Sequence, residues 1–435
     1  MTDSVNNTVQ SKTTDQQKTD IAIIGGGMVG AALAALFACA RKDWHITLIE
    51  AFPLPNSSGA SNATSAPVYQ PSFDARSTAI ASGSVHLLEQ AGVWQTLLQH
   101  ATPIRQVHVS DKGHIGGTVI DQSDVGDTAL GYVIPNAWIG NVLLSHIQQL
   151  PQISCISPAQ VKQLQPKQQG AKLVVDKEGQ TFEVDCQLAV VADGAQSSLR
   201  KSLGIDVDVQ DYQQTAIIAN VAFDQPHQGI AYERFTDQGP MALLPLGESD
   251  KGCESALVWT HPREQAEAIL ALSDEEFIKE LQQRFGFRLG NFTKVGKRDS
   301  YPLHLLVAKE QVRSSIAVMG NAAHFLHPVA GQGFNLALRD CAALVAEVAE
   351  AQDQQQPLGH LDALLRYQQA QVTDQLATIR GSDTLTKIFS TAQLPQAALR
   401  ALGFMGLEAI PASKQWLTLQ SMGQAGRRIS LNSAR

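Results

Sequence analysis

The chain has 435 residues, of which 44% are hydrophobic, and a formal net charge of −8. That length supports a large core and two domains, while the acidity and the lack of a long basic run exclude nucleic acid as a natural partner. No apolar run reaches the length of a membrane span, and five scattered cysteines without a CxxC pair argue against a disulfide framework or zinc knuckle and suit a reducing compartment.

Residues 1–19 are polar, lack the apolar core of a signal peptide, and read as a disordered leader. Ile21 to Ile24 is a short apolar strand. Gly25, Gly27 and Gly30 follow in the pattern GxGxxG, with Met28 and Val29 between the last two, and Ala31 to Cys39 continues as an apolar helix. The first glycine permits a tight turn, the second lets backbone approach a pyrophosphate, and the third lets helix pack on strand. Ile46 to Ile49 is the next strand, closed by Glu50, a carboxylate placed to accept hydrogen bonds from ribose hydroxyls. Strand, glycines, helix, strand and terminal acid in that order form a dinucleotide site. The unit does not by itself distinguish FAD from NAD.

Ser58 to Gln70 is a loop rich in Ser, Ala and Pro. Asp74 to Ile80, containing Arg76, precedes a helix over Ser84 to Gln90; Arg76 pairing with Asp74 on the surface is its simplest reading. Asn136 follows Pro135, where a turn-forming Asn is natural, and Val161 reads as a buried strand valine. Leu188 to Ala192 is another apolar strand, and Asp193-Gly194 ends it within DGAQSSLR, a match to DGxxSxxR. No second GxGxxG follows a strand downstream. Alternation in Ala216 to Phe223 and the run Met241 to Leu246 fit an antiparallel sheet with one face on a pocket.

Ile316 to Met319 reads as a buried strand running into GNAAHFLHPVAGQGFNLALRD, Gly320 to Asp340. Small residues, Pro328, Gly331 and Gly333 share one turn, and a helix opens at Asn335. Such a loop brings backbone N–H groups close to a ligand with a helix N-terminus behind them. His324 and His327 invite a metal, but Pro328 ends helical geometry there and no carboxylate or cysteine completes a ligand set, so no metal is expected. His324 is read as bonding backbone. The chain has no serine-hydrolase elbow and no nucleotide-triphosphate loop.

Fingerprint, DG segment and glycine loop together resemble the class A flavoprotein aromatic hydroxylases, built on the para-hydroxybenzoate hydroxylase fold. HPVAGQGFNLALRD with GNAAH before it, ERFTDQGPMALLPL (Glu233 to Leu246), FGFRLG and GKRDSYPL are similar to the ubiquinone-biosynthesis branch. The resemblance spans Ile21 to Asp340. It implies an α/β fold with a discontinuous Rossmann-type FAD domain over residues 20–92, 131–204 and 301–350. An antiparallel-sheet substrate domain is implied over 93–130 and 205–300, with a helical region over 351–435.

It further implies non-covalent FAD contacted by Gly25, Gly27, Met28, Val29, Gly30, Glu50, Arg76, Asn136, the Val161 backbone, Asp193, Gly194, Asn321, Pro328, Gly331, Gln332, Gly333, Phe334 and Asn335. Phe235, Leu244, Pro245 and His327 are implied at the substrate pocket. The implied reaction hydroxylates a polyprenylated methoxyphenol, using NAD(P)H and O₂ through a flavin C4a-hydroperoxide. Asn321 departs from the aspartate that most of the superfamily carries, keeping an acceptor oxygen but losing the charge. No side chain declares itself as a general base, and none is assigned. Two other readings remain open: a non-catalytic FAD-binding assembly subunit, and a related isoprenoid flavin reductase. Leu394 to Leu419 is apolar for a tail, which suggests packing on the FAD domain, a homo-oligomer or a biosynthetic complex. The expected location is cytoplasmic, at most peripheral to the inner membrane or in a soluble complex.

Overall fold

The computed structural model describes residues 16–54, 76–112, 117–124, 126, 128–236, 238–248, 250–326, 331–389, 418 and 422. The loop Ser58 to Gln70, His327, Pro328 and, apart from Thr418, the stretch Leu394 to Leu419 lie outside them.

Among the described residues, the strands form sheets of eight, nine and three strands. The first sheet is parallel at its centre. Gln16–Ile24 lies between Gln180–Val191 and Ile46–Ile49, with Ile316–Val318 and Ile153–Ile156 outside them. Both faces are covered, which explains why the strand reads as unbroken hydrophobics. Ile21, Ile23, Leu48 and Val190 pack on the helices Met28–Ala40, Asn136–Gln148 and Gln332–Asp353. Ala22, Ile24, Ile49 and Val191 pack on the other side against the antiparallel meander formed by Gln160–Pro166, Ala171–Lys177 and Gln180–Val191.

The first strand begins at Gln16, so residues 16–19 are not part of a leader: Gln16 to Thr19 pair with Glu183 to Cys186. Ladder hydrogen bonds need no apolar side chain, and hydropathy therefore misses a polar strand end.

The nine-stranded sheet is mostly antiparallel and centred on Val207–Phe223, Glu254–Pro262, Gly239–Leu246 and Ile230–Thr236. Its outer face holds Ile217, Leu243, Leu257 and Trp259 beneath the helix Asp274–Phe285. A capping box starts that helix, with Ser273 and Glu276 each bonded to the other's backbone N–H. The inner face carries Ala216, Ile218, Ala231, Phe235 and Leu244. Here it meets the small sheet Ser77–Ala81, Gly131–Pro135 and Thr102–Ile104, through Ala79, Ile104 and Val133.

Two of the expected boundaries shift. Tyr301 to Ala308 belongs to the second sheet, paired with the long strand Val207–Phe223, not to the nucleotide-binding part. Trp94 and Leu97 pack in the core of the first domain. The helix Leu361–Phe389 follows Gln332–Asp353. Met422 returns to the inner cluster, its carbonyl accepting from the Gly83 N–H at 2.9 Å.

Candidate functional site

The parallel ladder runs directly into the glycine turn. Gly25 N–H donates to Ile49 O at 2.9 Å, and Ala192 N–H donates to Ile24 O at 2.8 Å. Gly25 has φ +107°, and a Cβ there would strike the Ala192 carbonyl; a Cβ on Gly30 would strike the Gly25 carbonyl. Both positions therefore exclude side chains on steric grounds. The helix Met28–Ala40 starts at Gly27 with no side-chain cap and no acidic residue in its first turn. Its leading N–H groups and dipole are left for an anion. Met28 and Val29 pack partly into the core beneath this turn.

Glu50 is buried, and its carboxylate accepts hydrogen bonds from the backbone N–H groups of Gly26 and Phe52. Gly26, the middle glycine of three, is a site residue that the fingerprint pattern passes over. A Cβ there would lie 3.1 Å from the Glu50 side chain. The tripled glycine in the sequence was its only signal.

Asp193 lies two residues past the end of the strand at Val191, beside this turn. Burial pushes its carboxyl above the ordinary aspartate range, and Oδ1 has no hydrogen-bond partner among the described residues. Gly194 follows at φ +92°. The rest of DGAQSSLR is scaffolding. Ser197 Oγ caps the short helix by accepting from Arg200 N–H at 3.0 Å. The buried Arg200 guanidinium donates to Ala322 O at 2.7 Å and Ala195 O at 3.0 Å. Arg200 thus clamps the DG segment to the turn at Gly320. That turn rests on Val29 and leaves Asn321 exposed.

A second group gathers around the strand Ser77–Ala81. The long helix begins at Gln332, three residues before the expected Asn335, with Gly331 at φ +60° as an uncapped N-cap and no acid in the first turn. Gln332 and Gly333 form that first turn. Asn335 is buried, and its carboxamide is engaged by backbone. Oδ1 accepts from Ala81 N–H at 2.9 Å, while Nδ2 donates to Ala79 O at 2.8 Å and Gly331 O at 2.9 Å. Asn335 therefore positions the loop. The Phe334 ring packs into the core.

Arg76 sits over the Tyr301 ring at 4.6 Å, and Asp74, its expected partner, lies outside the described residues. Its carbonyl accepts from Asn136 N–H at 2.8 Å, and Asn136 Oδ1 accepts from Thr78 Oγ1 at 2.6 Å.

Some expected residues are placed elsewhere. Val161 is buried in the meander core with its backbone in the ladder opposite Val175. Pro245 neighbours Leu244 on one strand, so the pleat turns it toward the opposite face. His324 bonds a side chain, not backbone: Nε2 donates to Asp340 Oδ2 at 2.8 Å, and Gln375 Nε2 donates to Asp340 Oδ1 at 3.0 Å. This buried network closes the base of the loop helix. Phe235 and Leu244 lie on the inner face, and so does Glu233 between them, a residue with no assigned role in the sequence reading.

The donors fit FAD. Two uncapped helix N-termini suit phosphate and the flavin pyrimidine edge. The Glu50 carboxylate suits a ribose, and a partnerless buried Asp193 oxygen lies between the motifs.

A family model described as an FAD binding domain matches residues 18–371. The chain belongs to this FAD-binding family. Ubiquinone hydroxylase UbiL of Rhodospirillum rubrum is 34% identical, over 93% of this chain and 89% of its own. The 3-demethoxyubiquinol 3-hydroxylase of Escherichia coli is 29% identical, over 94% and 99%. Among solved structures, p-nitrophenol 4-monooxygenase PnpA from Pseudomonas putida superposes with TM-score 0.73 over 95% of this chain at 17% identity, a likeness of fold. The protein is an FAD-dependent aromatic-ring hydroxylase, with the fold class that its three motifs implied. No described helix of the hydroxylase is long and apolar enough to cross a membrane.

Proposed function

We propose that this hydroxylase inserts one oxygen atom from O₂ into the ring of a polyprenylated methoxyphenol in ubiquinone biosynthesis, with NAD(P)H as reductant. The observation that carries the reading is the inner sheet face. Val109, Ala231, Phe235 and Leu244 lie on one apolar face, and Ala231 and Leu244 cluster with Ala79, which the Gly331 turn approaches; such a face suits a ring with a greasy tail. The ubiquinone-hydroxylating relatives agree with it.

In this reading, the N–H groups at the start of Met28–Ala40 hold the pyrophosphate, and Glu50 accepts from a ribose hydroxyl. Asp193, Asn321, Arg76 and Asn136 line the cofactor between these contacts. The Gly331, Gln332 and Gly333 N–H groups face the flavin pyrimidine, where a helix N-terminus favours negative charge. Bound there, FAD supplies two-electron reduction and oxygen activation. The apolar wall excludes water from the reacting atoms.

The test is NAD(P)H consumption by the FAD-loaded protein with and without a short-tailed methoxyphenol. Accelerated consumption with a hydroxylated product is expected. Consumption that ignores the phenol favours a non-catalytic FAD-binding subunit, and phenol-independent reduction of an isoprenoid double bond favours a reductase.

A further inference from the structure

We infer that Glu233 is the group that takes the phenolic proton from the substrate, an assignment that rests on the hydroxylase reading above. Glu233 lies on Ile230–Thr236 between Ala231 and Phe235. In register it is flanked by Val109 on one neighbouring strand and Ala242 on the other. The pleat sends Tyr232 and Arg234 to the opposite face, where Tyr232 meets Phe285 and Arg234 donates to Arg284 O at 3.1 Å. Glu233 therefore shares the inner face with Phe235 and Leu244, the face that packs on Ala79 beside the Gly331 turn.

No hydrogen bond or ion pair engages its carboxyl among the described residues, and burial alone pushes it up to about 7. Glu233 is half-buried, so its carboxyl can be reached from the face it shares with Phe235 and Leu244. The other charged or titratable groups on this face or its edge, among the described residues, include Asp111, Glu254, Lys294, Asp299, Tyr301 and Arg76. None of them contributes to the shift.

The step balances without an oxidant. The phenol O–H bond breaks, its electron pair stays on the phenol oxygen, and the proton forms the O–H of the Glu233 carboxylic acid. The charge left on the oxygen raises electron density in the ring, as electrophilic oxygen insertion requires. An ordinary glutamate would take the proton about six pK units uphill from a phenol, and the raised value narrows that gap to about three.

The test uses the FAD-loaded enzyme with 2-prenyl-6-methoxyphenol as probe, following the phenolate absorbance of the oxidised complex from about pH 5.5 to about pH 9. In Glu233→Gln the phenolate band should move down in pH, because a neighbouring carboxylate disfavours a second negative charge, while the proton acceptor itself is lost. Hydroxylation near neutral pH should fall about a hundredfold, with FAD content and NAD(P)H-driven flavin reduction retained. Glu233→Asp should recover part of both signals. An unmoved band and unchanged hydroxylation in Glu233→Gln would overturn the assignment while leaving the hydroxylase reading intact. A wild-type enzyme that binds no phenol overturns both. Should Glu233→Gln lose its FAD, Glu233→Asp decides: a displaced band supports the assignment and an unmoved one overturns it.

Discussion

Gly333 isolates the role of the glycine loop at the scale of one residue. It occupies the first turn of Gln332–Asp353, and a Cβ there meets nothing within 4 Å. Gly333→Ala therefore fits the fold, and alanine's helix propensity adds up to about 1 kcal/mol. The expected outcome is an unchanged or higher melting temperature with FAD affinity reduced about tenfold, because the methyl group intrudes where the N–H faces the cofactor. Thermal melts and FAD fluorescence titration check it, and equal loss in both would assign the loop a structural role alone. Residues of this kind were legible in sequence. Gly25, Gly30 and Glu50 each have one steric or hydrogen-bonding reason to be what they are, and a local pattern carries it. Arg200, Asn335 and Glu233 were harder to read. Arg200 closes a local motif, but its partner Ala322 is 122 residues away, and the neighbours Ala81 of Asn335 and Val109 of Glu233 are 254 and 124 residues away, so the roles set by these tertiary contacts were not in the spacing.

The outer layer of the substrate sheet makes the clearest pH statement at the scale of elements. The helix Asp274–Phe285 covers Trp259 and His261, whose rings lie 4.4 Å apart, and Phe277 closes on Trp259 at 5.5 Å. His261 is fully buried with both ring nitrogens unpartnered among the described residues, and burial, with Arg284 adding to it, drops its pKa to about 4. The folded value lies below the unfolded one, near 6.5, so the unfolded chain binds more protons between the two. Stability from this site is complete above about pH 6.5 and is lost as pH falls toward about 4, on the order of 3 kcal/mol in all. His261→Phe should flatten that acid limb of the denaturation midpoint against pH. An equally steep limb in the variant would remove His261 as its source. Element identity was largely legible from period: Ile46–Ile49 falls on the expected residues. Element ends were less so, because Gln16 to Thr19 and Gln332 are held by ladder and helix hydrogen bonds that hydropathy does not register.

Across the whole molecule, the Gly25 turn and the helix start at Gln332 come from opposite parts of the described chain, and the long strands Val207–Phe223 and Asp299–Ala308 pair within the substrate sheet. Motif spacing assigns Tyr301 to Ala308 to the FAD domain, and it is this long-range ladder, invisible to local pattern, that puts them in the substrate sheet instead. The proposed oxygen transfer rests on the FAD-binding family and on the apolar inner face of the substrate sheet. The most direct test is turnover of a short-tailed prenyl methoxyphenol under ¹⁸O₂ with NAD(P)H, followed by mass spectrometry of the product. The account predicts one ¹⁸O atom in the ring hydroxyl, with none arriving from ¹⁸O-labelled water. Reduced cofactor consumed entirely to hydrogen peroxide, with an unlabelled and unchanged phenol, would contradict it.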